Sequence, residues 1–256
     1  MVSRQLSALS DTVPLSLRLI DDFELRSGDE LVQMSPSSQR LVGFVALHDR
    51  PVRRSTVSGM LWLDSPEDRA GASLRSALWR VPAPGGVSLL AASGTHLWLN
   101  AHVRVDLRTA IARAQSLLDE PELNGAAIDV AYELYHFSGD LLPGWYDDWL
   151  VMERERFHCL RLQVLDKLGE QLLAHGRLGD ALQVGLAAVQ AEPLRETAHR
   201  LVMRVHLAQG NIAEAIRQYQ FYARTLAREL GAVPSGPMRR LIGSCQDRTQ
   251  LAHAAE

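Results

Sequence analysis

The second half of this chain repeats itself every 34 residues, and an internal period constrains a fold more than any isolated motif. His175-Gly176 returns as Gln209-Gly210, with glycines at 176 and 210, which are 34 apart. At the same offset Ala174 meets Ala208, Leu178 meets Ile212, Asp180 meets Glu214, Ala181 meets Ala215 and Leu182 meets Ile216. Apolar residues at helical spacing on both sides of a recurring glycine predict paired helices joined by tight turns.

A helix-turn-helix period of this length is the tetratricopeptide spacing. The first copy keeps more of that pattern, with Leu168-Gly169, Ala181, Ala188 and Pro193 in place. Small residues such as Ala181 and Ala188 let paired helices approach closely. The second copy carries Tyr222 where a small residue is expected. Such repeats are general binding scaffolds, so the pattern specifies a fold and leaves the ligand open.

The first hundred residues read differently. Residues 1–12 are polar and small, the composition of a flexible tail. Leu15, Leu17 and Leu19 share one parity, and Phe23 and Leu25 follow Asp21-Asp22, which predicts two strands around a turn. Ser35-Pro36 opens a first helix, and a second runs from about Ser55 to Trp62. Gly59 inside that second helix costs about 1 kcal/mol relative to alanine, so packing is expected to hold it. Ser65-Pro66-Glu67-Asp68 starts a third helix, with Ser65 as cap and Asp68 at the capping-box position. Pro82, Pro84, Gly85 and Gly86 end it at Val81. A hairpin follows, Val87–Ala92 and Leu97–Leu99, turning through Ser93-Gly94-Thr95-His96. From Val105-Asp106 the chain is helical almost to its end, interrupted near 121–125 and 138–144. The expected organisation is a domain at 13–105, a helical domain at 106–243 and a second flexible tail at 244–256.

The third helix is the most informative element of the first domain. At 100° per residue, Ala70, Leu74, Ala77, Leu78 and Val81 form one apolar face. The opposite face presents Ala72, Arg75, Ser76 and Trp79, flanked by Arg69, Ser73 and Arg80. Arginine grips phosphate or reads guanine edges, serine bonds to either, and alanine permits close approach. The same wheel also describes an ordinary solvated face. Between residues 40 and 80 seven arginines stand against four acids, Arg53 and Arg54 among the former. The hairpin tip with Thr95 and His96 can enter a minor groove or touch phosphate, and it equally reads as a plain β-turn.

Composition narrows the function classes. The whole chain carries a net charge of −3, so any nucleic-acid contact must come from a local face. Cys159 and Cys245 have no metal-ligand spacing and suit a reducing compartment. Cys159 lies on an apolar-rich helix and is expected to be packed. The start of the chain has no signal-like apolar run, and no stretch reaches the length of a membrane span. A cytoplasmic protein without cofactor, metal or membrane partner is expected. His199 and His206 share one side of a helix but lie about 10 Å apart, too far for one metal without another element. No nucleophile motif is visible, and the chain is not expected to be an enzyme.

Arg50-Pro51-Val52, Leu61-Trp62, Ser65-Pro66-Glu67 and the run Ser73–Val81 resemble the winged helix of the Streptomyces antibiotic regulatory protein family. Asp140–Pro143, Asp148-Trp149, Glu153–Arg156, Glu192–Glu196, Tyr219-Gln220 and Arg228–Ser235 resemble that family's bacterial transcriptional activator domain. The resemblance covers about Pro14 to Leu241. It implies an α+β N-terminal winged helix-turn-helix of the OmpR type followed by an all-α tetratricopeptide-like domain. It further implies an activator that binds direct repeats near a promoter −35 element and recruits RNA polymerase holoenzyme through its sigma factor, commonly for a secondary-metabolite cluster. In OmpR-type proteins the loop before the third helix tends to face polymerase, which singles out Asp64, Glu67 and Asp68; capping is their other role. No Gly-x-x-x-x-Gly-Lys-Ser/Thr segment is present, so the chain resembles the small, stand-alone members.

Two departures matter. The third helix stops where the family often adds basic residues, and Arg53 stands where a serine or threonine cap is usual. Residues 14–107 hold ten arginines and ten acids, so one protomer should bind DNA modestly and lose it readily in salt. Two protomers binding cooperatively, a homodimer on DNA, or polymerase itself would then be needed to hold the site. The competing class is an adaptor that binds no DNA and acts, or senses a ligand, through the helical domain. The aromatic stretch Tyr132, Tyr135, Phe137, Trp145, Tyr146 and Trp149 could line a pocket in that case; sealing of the repeats or of a domain contact is its other reading. Tyr219, Phe221 and Tyr222 read as packing.

Overall fold

Leucines at 15 and 17 are buried while Ser16 between them is exposed, the alternation that makes β1 (Leu15–Arg18) a one-sided strand. The computed structural model describes residues 14–124 and 127–243; the tails expected at 1–12 and 244–256, and Cys245, lie outside them. β1 pairs antiparallel with β2 (Glu24–Ser27), and β2 with β3 (Glu30–Leu31). On its other edge β1 pairs parallel with β7 (Val103–Val105), giving the order β3-β2-β1-β7. A second sheet, β4-β6-β5, joins Val52–Arg53, His96–Leu99 and Leu90–Ala92. Three helices lie between: α1 (Pro36–Ala46), α2 (Arg54–Leu61) and α3 (Glu67–Trp79). A small mixed-sheet region with helices is thus followed by a helical region, α4 (Asp106–Asp119), α5 (Val130–Phe137), α6 (Asp148–Ala174), α7 (Leu178–Ala191), α8 (Glu196–Ala208) and α9 (Ile212–Leu230), then a helical run over 236–243.

The chain forms two compact units that do not meet at one cut near 105. The first takes the chain as far as Ala110 together with Asp140–Phe157; the second takes Ile111–Gly139 and His158 onward.

In the first unit, Leu41, Val42, Val45, Val57, Leu61, Leu74 and Leu97 are buried where α1, α2, α3 and β6 pack. Ser35 caps α1 from its side chain, and the buried Ser38 hydroxyl donates to the Ala77 carbonyl (3.2 Å), tying α1 to α3. The segment after residue 140 belongs here because it completes the strand end. Leu142 N–H donates to Leu19 O and Asp21 N–H to Asp140 O, both at 2.8 Å. Arg154 Nε fixes the Leu141 carbonyl at 2.8 Å. Trp145 stacks on Phe23, and Trp149 meets Phe44 edge-on with centroids 5.2 Å apart. The Asp106 carboxylate accepts from the N–H groups of Leu19, Ile20 and Leu107. Burial pushes that carboxyl above its ordinary range, and the three backbone donors pull it back.

In the second unit the period appears bond for bond. Arg177 N–H reaches Leu172 O at 2.9 Å, and Asn211 N–H reaches His206 O at 2.8 Å. Gly176 and Gly210 both take a left-handed φ, 71° and 78°, which explains glycine at both turns. Ala181, Ala188 and Ala215 are fully buried. Tyr222, at the larger position, is buried against His199 with ring centroids 4.6 Å apart. Glu170 and Arg204, one period apart, form an ion pair between α6 and α8 at 2.6 Å. The Glu133 carboxylate is buried in an ion pair with Arg113.

Three expectations are corrected. Ser65 does not cap α3: the cap position is Pro66, with no side-chain bond, and the helix runs from Glu67 to Trp79 rather than to Val81. The packing expected to hold α2 despite its exposed Gly59 comes from the buried Val57 and Leu61. Cys159 is exposed on α6, not packed. The aromatic stretch divides: Phe137 is buried and Trp145 and Trp149 pack in the first unit, while Tyr132, Tyr135 and Tyr146 are exposed, as is Phe221 on α9.

Candidate nucleic-acid interface

α3 buries Ala70, Leu74 and Ala77 and turns its other side outward, as its periodicity requires. Leu78 and Val81 are only half-buried at its end. Arg69, Ala72, Arg75, Ser76, Trp79 and Arg80 are exposed, and Ser73 is half-buried. From Arg69 to Arg80 the face extends about 16 Å at the rise of an α-helix. Trp79 is 87% exposed, so the core of the unit does not account for it.

Among the described residues Arg69, Arg75 and Arg80 have no ion-pair partner; on the helical unit Arg177, Arg195, Arg204 and Arg217 each hold a carboxylate, while the exposed Arg224, Arg239 and Arg240 do not. Arg40, counted with the basic stretch in sequence, does not contribute outward: its Nε donates to Asp147 Oδ1 at 2.9 Å.

A second group forms where the hairpin meets α2. Arg53 pairs with His96 across β4 and β6, and the first N–H of α2, that of Arg54, donates to Thr95 O at 2.9 Å. The hairpin thereby supplies the acceptor that Arg53 cannot supply as a cap. The tip is internally braced: Ser93 Oγ accepts from His96 N–H at 3.0 Å, and Thr95 Oγ1 lies 2.8 Å from His96 Nδ1. Arg53 and Thr95 are exposed, and Arg54 and His96 half-buried. So the sequence-predicted residues fall into two clusters, one on α3 and one at the tip with the start of α2. Asp64, Glu67 and Asp68 are exposed at the entry to α3, where Glu67 and Asp68 also suit the positive end of the helix.

Sequence reasoning missed a cleft in the first unit, between residues 60–65 and 146–149. No local pattern marks it, because the two segments are some 80 residues apart in the chain.

Residues 103–245 match the family described as "Bacterial transcriptional activator domain". The chain belongs to that family. The family is one of transcriptional regulators rather than enzymes. Over 228 residues, 84% of this chain, it is 29% identical to the regulatory protein AfsR of Streptomyces coelicolor and equally to AfsR of Streptomyces griseus. It spans less than a quarter of the length of either relative, 22% and 23%. The solved structure of Mycobacterium tuberculosis EmbR in complex with a low affinity phosphopeptide superposes with a TM-score of 0.71, covering 92% of this chain and 65% of that one. At 19% identity that likeness is one of fold. Together these matches bear out the resemblance to the Streptomyces antibiotic regulatory proteins. Among the described residues of this family member no helix is long and apolar enough to cross a membrane, and no three histidine, cysteine or carboxylate side chains gather as a metal site.

Proposed function

We propose that the first unit is an OmpR-type winged helix whose α3 reads promoter DNA, and that the protein activates transcription by recruiting RNA polymerase. The observation that carries this reading is the α3 face: three exposed arginines without carboxylate partners around a tryptophan that no core residue covers. Arg75 and Arg80 are placed to read bases or hold phosphates, with Ala72, Ser73 and Ser76 allowing close approach. Arg53, Arg54, Thr95 and His96 contact the backbone or minor groove beside α3. Asp64, Glu67 and Asp68 face polymerase or its sigma factor. The helical unit, tetratricopeptide-like in its period and turns, is the protein-binding scaffold. Even charge in the first unit makes two protomers on direct repeats, or polymerase, the means of holding a site near a −35 element. The names of the AfsR relatives support a regulatory role, and a secondary-metabolite cluster is the target class.

The rival reading, an adaptor without DNA contact, draws on the early stop of α3 at Trp79 and the balanced charge. Footprinting of the full chain on genomic fragments, with and without RNA polymerase holoenzyme, separates the two. Protection over direct repeats beside a −35 element is expected; absence of protection in both conditions, with folded protein, favours the adaptor.

A further inference from the structure

A cleft of about 370 Å³ opens in the first unit between residues 60–65, leading into α3, and residues 146–149, leading into α6. Its volume falls within the range of sites that hold small ligands or peptide side chains. Three features define what it can hold.

Its charge is negative. Asp64, Asp147 and Asp148 line it with one cation, Arg40, which is already bound to Asp147. Among the described residues Asp64 and Asp148 have no ion-pair partner. Part of this charge serves α6, since carboxylates suit a helix start; Asp64 has no such duty there.

Its rim is apolar. Met60, Leu63 and Tyr146 line it, and the last two are 65% and 93% exposed. Trp149 forms part of its wall, with the indole N–H closed to solvent, so the ring serves as a surface and a reporter of occupancy.

We infer that this cleft receives a short peptide segment of a partner protein, bearing an arginine beside an apolar side chain. The arginine meets Asp64 and Asp148, and the apolar neighbour lies on Leu63 and Tyr146. A simple amine satisfies the carboxylates but leaves Leu63 and Tyr146 uncovered; a nucleic acid is repelled by the acids. The inference rests on the reading that the loop around residue 64 faces a protein, and adds the chemistry of what it grips.

The test uses the full chain with 15N-labelled tryptophan and the probe acetyl-Leu-Arg-Phe-Arg-amide. The Trp149 indole signal, assigned by its loss in Trp149→Phe, is followed during titration at low salt. A saturable shift is expected, weakened tenfold or more in the Asp64→Asn, Asp148→Asn double variant. The Trp98 signal, on β6 and outside the cleft lining, unchanged from wild type, reports that the variant is folded. No saturable shift, an unchanged affinity in the double variant, equal binding of acetyl-Leu-Glu-Phe-Glu-amide, or equal binding of arginine amide alone would each overturn it. The double variant should keep its promoter footprint. Loss of DNA binding would instead count against the assignment of this loop, and a negative titration would leave the polymerase-facing role of Glu67 standing.

Discussion

Trp145 closes over Gly43: a Cβ at that glycine would come within 3.3 Å of two carbons of the indole ring. The contact joins α1 to a segment a hundred residues further along the chain, inside one compact unit. Gly43→Val should therefore cost about 1–3 kcal/mol through overpacking. The larger consequence concerns truncation. A fragment ending at residue 110 loses the partners of Leu19 O and Asp21 N–H, along with the indoles that cover Phe23 and Phe44. It should melt well below the full chain or fail to fold, as circular dichroism would show. A fragment as stable as the intact protein would contradict this assignment of the segment.

Arg113 and Glu133 test the second unit. Glu133 is 1% exposed and pairs with Arg113 through Nε at 2.9 Å. The hydrogen bond to Glu133 raises the Arg113 pKa, ahead of the opposing cost of burial. Arg113→Ala strands a buried carboxylate and should cost about 3 kcal/mol, the lower end for buried pairs because Arg113 is itself partly in water. Adding Glu133→Gln should recover much of that loss in urea denaturation. Equal stability of the single and double variants would show that the buried charge is not the cause.

His199 gives a pH dependence of known sign. Its Nε2 lies 3.0 Å from the Pro193 carbonyl and its Nδ1 2.8 Å from the Gln218 amide, so the ring fits as a neutral donor and acceptor. Burial holds its pKa below 6.5, outweighing the Pro193 bond and the charge of Glu196, which act upward. The unfolded chain then takes up a proton that the folded one refuses. This contribution to stability is present above pH 6.5 and is lost as pH falls towards the depressed folded value. Stability measured across that window should fall more steeply in the wild type than in His199→Gln; parallel curves would exclude the effect.

Glu67→Ala should leave DNA affinity unchanged and lower transcription in a reconstituted assay with holoenzyme. Glu67 is exposed and bonds to nothing that shapes α3 beyond its place in the first helical turn. Unchanged transcription would remove it from the polymerase-facing set.

Much of this was legible in the sequence because it is local. The turn glycines at 176 and 210, the alternation of Leu15 and Leu17, and the buried and exposed faces of α3 all follow from period and spacing. The misreadings came where distant partners decide. Ser65 lost its capping role because α3 begins two residues later, after Pro66. Arg40 reads as part of a basic stretch, yet Asp147 claims it. Trp145 and Trp149 look continuous with Tyr146, but the two indoles pack against Phe23 and Phe44 while Tyr146 stays in solvent. The cleft between residues 60–65 and 146–149 has no sequence signature, since neither segment forms it alone.

The central claim is that the outer face of α3 reads DNA. The direct measurement is binding of wild type, Arg75→Ala and Arg80→Ala to the footprinted promoter duplex and to random duplex, at fixed salt. The account predicts a loss of about 1–3 kcal/mol for each variant on the promoter duplex and a smaller loss on random DNA. Equal losses on both duplexes would make these arginines phosphate anchors, and no loss on either would contradict the claim.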